Sequence, residues 1–215
     1  MTNQNHITTS INTSTESSKS TIAIFLDIDG VIFYDRMNGM VQKRVKERFK
    51  GREHELPIPY PGSECDKAAV DLFNERALNY LDKLILCINK EYQKEAIIVL
   101  SSAWRKDRTI DFLKNLFKQH SFSSYIVDKT PELSCKPRGK EIAQWLFENH
   151  NKYNLCGFIV LDDCDEGLSL EFPSQFVQCK HTTLFREKEY NLALSIIDKI
   201  VKNPVSFTET YENKE

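Results

Sequence analysis

Residues 22–31 read Ile22-Ala23-Ile24-Phe25-Leu26-Asp27-Ile28-Asp29-Gly30-Val31. The five consecutive apolar residues predict a β-strand that is covered on both faces, as in the parallel sheet of an α/β protein. Such a strand would hold Asp27 and Asp29 at its carboxyl end, where open parallel sheets bind ligands. Two fixed carboxylates can bind a divalent cation, and one of them can act as a nucleophile. From these residues alone, a strand that runs into an Asx-type turn remains the alternative.

Around this strand the chain alternates between strand and helix patterns. Further apolar runs predict strands over residues 96–100, 125–127, 158–161 and 176–179. Between the strands, apolar residues recur at helical spacing, and one such set predicts a single long helix from about residue 66: Phe73, Ala77, Leu81, Leu84 and Ile88. This alternation predicts parallel βαβ units with right-handed crossovers, and hence an α/β fold with three layers around a central parallel sheet.

The composition is that of one globular domain. The 215 residues include 28% charged and 40% hydrophobic residues, and the net charge of −2 gives no general attraction to nucleic acid or to anionic membranes. No apolar run is as long as the roughly 18 residues of a membrane span, and none forms the core of a secretory signal. The six cysteines show neither CxxC nor zinc-ligand spacing, so we expect reduced thiols and a cytoplasmic protein.

Composition also divides the chain into parts. Residues 1–20 are rich in Ser, Thr and Asn and predict a disordered tail, residues 21–202 predict the folded domain, and residues 203–215 predict a polar tail or linker. Within the domain, residues 31–65 break the alternation of strand and helix. Asn38-Gly39 predicts a hairpin turn in a small flap, the run over residues 43–52 is strongly basic, and prolines at 57, 59 and 61 favour an extended loop.

Polar residues of catalytic type follow two more of the predicted strands. Ser101-Ser102 comes at the end of the second strand and Asp162-Asp163 at the end of the fourth. Because the carboxyl ends of parallel strands lie at one edge of a sheet, we expect both pairs to meet the two aspartates of the first strand. The string Lys136-Pro137-Arg138-Gly139-Lys140 opens the helix before the fourth strand and would bring cations to the same edge.

These elements, in this order, closely resemble the four motifs of the haloacid dehalogenase-like (HAD) phosphohydrolases. The first motif, DxDGV, is matched by residues 27–31, and the second, a strand ending in Thr or Ser, by Ser101. The third motif is a Lys or Arg, for which Arg138 and Lys140 are both candidates. The fourth is an acidic pair at a strand end, which is matched by Asp162-Asp163.

The longer strings over residues 101–105, 138–142 and 160–163 are similar to those of the HAD domain found in RNA-repair (Swiss Army Knife) proteins. The resemblance implies a three-layer αβα Rossmann-like HAD fold with a flap hairpin after the first strand. Between the second and third motifs there is space for only one helix and one short strand, and the insertion after the first motif is too short for a full cap domain. We therefore expect an active site that is open to large substrates.

The resemblance also implies a mechanism. Asp27 would attack phosphorus and form an aspartyl-phosphate, and Asp29 would protonate the leaving oxygen and then deprotonate water. Mg²⁺ would be bound by Asp27, by the backbone carbonyl of Asp29, and by Asp162 or Asp163. Phosphate would be bound by residues of the second and third motifs: Ser101, Ser102, and Arg138 or Lys140, with Arg105 as a further candidate.

An open site favours a phosphate on a macromolecule, whose own bulk can exclude water. We prefer a phosphoprotein, and phosphotyrosine in particular, because its long rigid ring can reach a recessed aspartate. One alternative is a polynucleotide 5′- or 3′-end phosphatase in RNA repair, which the basic run over residues 43–52 would serve. Another is a non-catalytic docking module with the same fold. A monomer is assumed, and export by a signal-less route, for example as a bacterial effector, is an alternative to the cytoplasm.

Overall fold

The computed structural model describes residues 19–34, 43, 46–47, 50–51, 64–134 and 136–207. Five strands form one sheet: β1 (Thr21–Leu26), β2 (Glu95–Leu100), β3 (Ile126–Lys129), β4 (Leu155–Asp162) and β5 (Phe176–Gln178). Their order is β3-β2-β1-β4-β5, and all neighbours pair in parallel. The predicted α/β fold with a central parallel sheet is therefore confirmed, and all five predicted strands are present.

Helices pack on both faces of this sheet. They are α1 (Glu64–Val70), α2 (Glu75–Lys90), α3 (Ile110–Leu116), α4 (Arg138–Asn149), α5 (Leu168–Glu171) and α6 (Glu187–Lys202), with 3₁₀ turns at Ala103–Arg105 and Ser121–Tyr125. Successive side chains of β1 point to opposite faces, so Ile24 packs in the core with α2 and α6, whereas Phe25 packs in a second core with α4. Burial on both faces is why β1 is apolar at every position.

The single long helix predicted from about residue 66 is two helices. α1 ends at Val70, and Asn74 caps α2 by accepting a hydrogen bond from the amide of Ala77 at 3.1 Å. Phe73 lies between the helices but is buried in the same core as the apolar face of α2. The helical spacing therefore continued through a break, and the Asn cap that marks the break was overlooked.

The described residues between β2 and α4, 101–134 and 136–137, contain no cap domain. They form only α3, two 3₁₀ turns and β3. The predicted hairpin turn at Asn38-Gly39 and the three prolines lie outside the described residues. Of the basic run, only residues 43, 46–47 and 50–51 are described, and these are exposed. No helix in the described part of the chain is long and apolar enough to cross a bilayer.

After α6 the chain remains in contact with the second core. The amide of Val205 donates a hydrogen bond to the carbonyl of Cys156 at 2.9 Å. Phe207 is buried beside Phe158 and stacks on His150, with 5.3 Å between the ring centroids. Packing thus extends past residue 202, where we placed the end of the domain, because Phe207 supplies an apolar contact within an otherwise polar segment. The division into tails and domain remains a prediction.

Candidate active site

Three carboxylates meet at the carboxyl edge of the sheet. Asp27 follows β1, Asp162 ends β4 and Asp163 follows β4, and one oxygen atom from each lies within 4.8 Å of the other two. The amide of Asp27 donates a hydrogen bond to the carbonyl of Leu161 at 3.0 Å, which continues the strand pairing up to the cluster. Asp162 is fully buried and Asp27 is 4% exposed. Rigid, buried strand ends therefore hold these oxygen atoms in place.

Gly30 makes the tight turn beside this cluster possible. Its φ of +72° lies in the left-handed region, which favours glycine. A Cβ atom at this position would lie 2.1 Å from Cγ of Asp163. The amides of residues 31–33 lie 3.0–3.3 Å from the carbonyl oxygen of Ile28, which closes the turn. Both the backbone conformation and the close approach of Asp163 therefore require glycine after the two aspartates.

The guanidinium of Arg138 lies between two of the three carboxylates. Its Nη1 donates a hydrogen bond to Oδ2 of Asp162 and lies 3.4 Å from Oδ2 of Asp27. Arg138 is the first residue of α4. One guanidinium thus faces a cluster of three carboxylates.

Burial dominates the electrostatics of the cluster. Desolvation raises the pKa of Asp162 to about 7, and the nearby charge of Asp27 adds to the rise while Arg138 opposes it. The pKa of Asp27 is also raised by burial, and Arg138 is again the main opposing influence. The cluster is therefore short of positive charge. A hard divalent cation that prefers oxygen ligands, such as Mg²⁺, fits this donor set and would supply the missing charge.

Ser101 and Ser102 follow β2 at the same edge of the sheet, and both are fully buried. Ser102 accepts a hydrogen bond from the amide of Trp104 at 3.4 Å and also hydrogen-bonds to Asp27. The hydroxyl of Ser101 has no hydrogen-bond partner among the described residues. Because a buried, unpaired hydroxyl costs free energy, the Ser101 hydroxyl is a candidate to bind an oxygen of a ligand.

Asp29 is set apart from the carboxylate cluster. Its Oδ2 accepts a hydrogen bond from the indole Nε1 of Trp104 at 3.0 Å. The metal contact predicted for Asp29 involves its backbone carbonyl and not its side chain, so this geometry is compatible with the proton transfer predicted for the carboxylate. The sequence predicted no role at the site for Trp104, but its indole is a direct neighbour of Asp29.

The sequence left two candidates for the cation of the third motif, and the structure places them differently. Arg138 contacts the carboxylate cluster, whereas Nζ of Lys140 lies 3.2 Å from the carboxylate of Glu171 on α5. Side chains two positions apart on a helix point in different directions, which explains why only one of the two can face the strand ends.

Arg105 holds the loop after β2 in place. Its side chain is 2% exposed and donates hydrogen bonds to the carbonyls of Ser101 at 3.0 Å, Ser102 at 2.9 Å and Thr130 at 3.2 Å. It also pairs with the carboxylate of Glu141. These contacts do not support a role in phosphate binding. Sequence reasoning missed Glu141 because nothing local to α4 indicates that an arginine from another segment will reach it.

Taken together, a parallel sheet with carboxylates after its central strands and an arginine between them defines a hydrolase of the HAD-like class. The family model of the HAD domain in Swiss Army Knife RNA repair proteins matches residues 23–190, so the chain belongs to this family. All of the predicted site residues lie within the match. The membership supports a phosphatase of the HAD type, and HAD domains generally use Mg²⁺. Among curated proteins, none matches the chain significantly.

Proposed function

We propose that the chain removes a terminal phosphate from a polynucleotide, as a Mg²⁺-dependent phosphomonoesterase that acts through an aspartyl-phosphate. The family supports the reaction class, and its occurrence in RNA repair proteins favours a nucleic-acid end as the substrate. The preference for a phosphoprotein, and for phosphotyrosine in particular, finds no support in the family. The alternative of a 5′- or 3′-end phosphatase therefore replaces it.

The placement of Asp27 is the observation that carries the proposal. The carboxylate is buried, lies in a cluster with Asp162 and Asp163, and is 3.4 Å from the guanidinium of Arg138. A nucleophilic carboxylate must approach an anionic phosphoryl group, so cations at this point are needed to offset the repulsion. Mg²⁺ bound by these three carboxylates and by the carbonyl of Asp29 would supply part of that charge.

The two aspartates of the first motif have different roles in the proposed reaction. An oxygen of Asp27 forms a bond to phosphorus while the bond from phosphorus to the leaving oxygen breaks, and Asp29 gives that oxygen a proton, so that the nucleotide departs as an alcohol. Asp29 then takes a proton from a water molecule. The oxygen of this water attacks phosphorus, which releases inorganic phosphate and restores the carboxylate of Asp27.

The remaining residues hold the phosphoryl group. The unpaired hydroxyl of Ser101 donates a hydrogen bond to a phosphoryl oxygen, which satisfies an otherwise costly buried group. Ser102 orients Asp27 through its side-chain hydrogen bond. The guanidinium of Arg138 neutralises charge on Asp27 and on the phosphoryl group. Lys140, paired with Glu171, supports α4 and α5.

A substrate panel tests this proposal. Oligonucleotides with a 5′- or a 3′-phosphate are compared with phosphotyrosyl peptides in Mg²⁺, and we expect phosphate release from the oligonucleotides. Asp27→Asn removes the nucleophile and should lower the rate by more than about 10³-fold. Asp198→Asn is the matched control, because Asp198 is exposed on α6 and bonds to Tyr92.

Two outcomes would contradict the proposal. If the peptides are hydrolysed faster than the oligonucleotides, and Asp27→Asn abolishes this activity, the chain would be a phosphoprotein phosphatase. No hydrolysis of any substrate, including p-nitrophenyl phosphate, would instead leave a docking module with an inactive site.

A further inference from the structure

A polar groove opens beside Arg138. It has a volume of about 610 Å³ and lies between the chain that follows β2 and the chain that joins β3 to α4. We call it the first groove, and its lining includes Lys106, Glu132, Leu133, Lys136, Arg138 and Glu166. Because Arg138 also lies 3.4 Å from Oδ2 of Asp27, the first groove is next to the proposed nucleophile.

Two lysines give the first groove unpaired positive charge. Lys106 and Lys136 are exposed, and neither forms an ion pair with a described residue. Two of the carboxylates in the lining, those of Glu132 and Glu141, already pair with basic side chains. Glu166 is the remaining carboxylate. A chain of phosphates entering the first groove would therefore meet more positive than negative charge.

A second groove of about 590 Å³ opens at Asp163 and offers a comparison. It also contains two exposed lysines, Lys180 and Lys188. However, its end at the active site is a carboxylate of the cluster and not a guanidinium, and its lining includes the apolar side chains of Phe176 and Leu192. The first groove is therefore the better path for a polyanion.

We propose that the first groove binds the sugar–phosphate chain next to the terminal phosphate of the substrate, with Lys106 and Lys136 each contacting a phosphodiester. This inference rests on the proposed function and identifies the part of the site that distinguishes a polynucleotide from a small phosphomonoester. The described residues of the lining include no aromatic side chain on which a base could stack. Recognition would therefore depend on charge and be independent of base sequence.

Two double variants with the same change in charge test the groove. Lys106→Ala/Lys136→Ala removes both ammonium groups from the first groove, and Lys180→Ala/Lys188→Ala removes two from the second. We expect the ratio of kcat/KM for a phosphorylated oligonucleotide to kcat/KM for p-nitrophenyl phosphate to fall about 10-fold in the first variant only. For a single strand, two lost phosphate contacts should also reduce the slope of log affinity against log salt by about 1.4.

A binding measurement separates this inference from the proposed function. The same double variants are made in the Asp27→Asn background, and the affinity for a fluorescent, 5′-phosphorylated oligonucleotide is measured by anisotropy. Weaker binding in the first-groove variant alone supports the groove, even if the wild type were to hydrolyse no oligonucleotide and the proposed function failed. Weaker binding in the second-groove variant alone, or equal affinities of the two double variants for the oligonucleotide, would overturn the proposed role of the first groove.

Trp104 carries a second inference from a separate observation, its hydrogen bond to Asp29 at 3.0 Å. The indole is held in turn by aromatic neighbours, with ring centroids 6.2 Å from Phe33, 5.7 Å from Phe73 and 5.9 Å from Phe117. We infer that Trp104 is a positioning residue, which keeps the carboxyl of Asp29 aimed at the leaving oxygen. This inference rests on the proton transfer proposed for Asp29.

A comparison of substrates with poor and good leaving groups tests this positioning role of Trp104. A nucleotide would leave as an unstable alkoxide unless Asp29 protonated the leaving oxygen, whereas p-nitrophenolate is a stable leaving group without a proton. Trp104→Phe removes the N–H donor and keeps an aromatic ring in the cluster. We therefore expect kcat/KM, which reports the steps up to departure of the leaving group, to fall at least about 10-fold more for the oligonucleotide than for p-nitrophenyl phosphate.

Trp145 provides the matched control. Its Nε1 donates a hydrogen bond to Oδ2 of Asp128 at 2.9 Å, in the second core and not at the active site. Trp145→Phe thus removes the same type of hydrogen bond and should leave the ratio between the two substrates unchanged. Equal losses on both substrates in Trp104→Phe, or the same ratio change in Trp145→Phe, would overturn the positioning role.

Discussion

Two arginines near the active site, Arg105 and Arg138, differ in the groups that they contact. Both side chains are largely buried, and both pair with a carboxylate. Arg105 also donates hydrogen bonds to backbone carbonyls after β2 and after β3, so its planar donor set is occupied by the protein. Arg138 instead pairs with Asp27 and Asp162, two carboxylates that are expected to attack phosphorus or to bind metal.

The difference shows how the partners of a buried cation reveal its function. A guanidinium that binds carbonyls fixes the backbone, because each carbonyl would otherwise be buried without a hydrogen bond. A guanidinium that faces a cluster short of positive charge can also bind an anionic ligand. The same substitution at the two positions should therefore affect different measurements.

Among the substitutions that compare the basic residues near the site, Arg105→Lys should have the largest effect, and it should act on stability. Lysine keeps the charge but lacks the planar set of five donors, so several buried carbonyls would lose their hydrogen bonds. At about 1–3 kcal/mol for each unpaired buried group, we expect the free energy of unfolding to fall by about 3 kcal/mol or more. Urea unfolding in Mg²⁺ measures this loss. An unchanged free energy of unfolding would show that Arg105 does not stabilise the fold in the way that distinguishes it from Arg138.

Arg138→Lys should instead act on catalysis. A lysine ammonium cannot reach Asp27, Asp162 and a phosphoryl oxygen with directed hydrogen bonds at the same time. We expect kcat to fall about 100-fold, as on loss of one donor to a developing charge, while the urea midpoint in Mg²⁺ changes little. Circular dichroism provides the control for folding. If the variant is partly unfolded but keeps its activity per folded molecule, Arg138 would act on stability, as Arg105 does, and not on catalysis.

Asp162→Asn, at the direct partner of Arg138, should change how stability depends on pH, because burial raises the pKa of the Asp162 carboxyl. The pKa of Asp162 is raised to about 7 from its ordinary value of 3.8, so the stability it contributes is present below pH 3.8 and is lost as the pH rises to 7. Each pKa unit corresponds to about 1.4 kcal/mol. Metal-free wild type should therefore lose several degrees of melting temperature relative to the variant between pH 5 and pH 8.

Mg²⁺ provides the internal control for this comparison. At pH 8 the metal should raise the melting temperature of the wild type and have much less effect on Asp162→Asn, because one of the three clustered carboxylates is gone. Parallel pH curves for the two proteins without metal would contradict the raised pKa, and equal stabilisation by Mg²⁺ would contradict the metal site.

Much of this geometry was predictable because it depends on strands buried on both faces. The apolar runs before Asp27 and before Asp162 favour inner strands of a parallel sheet, and the carboxyl ends of such strands lie at one edge. The break before Asn74 was also readable, since Asn followed by Glu is a typical helix start. The helical spacing of the apolar residues continues across this break and therefore conceals it.

The contacts of individual side chains could not be predicted in this way. Which of Arg138 and Lys140 faces the carboxylates depends on where α4 begins relative to β4, and this is set by tertiary packing. Arg105 and Glu141 are 36 positions apart, and Arg105 also bonds to Thr130 after β3, so their pairing depends on three segments that are distant in sequence. Such distant partners leave no local pattern in the sequence.

Lys140→Ala should have the smallest effect and completes the comparison of cations. The side chain is 41% exposed and pairs with Glu171, and exposed pairs of this type contribute about 0–1 kcal/mol. We expect kcat and KM to change by less than about twofold, and Glu171→Gln, which breaks the same pair from the other side, to behave alike. A loss as large as that of Arg138→Lys would mean that α4 rotates when substrate binds. Two residues span about 200° around a helix axis, so a rotation of that size would be needed for Lys140 to replace Arg138.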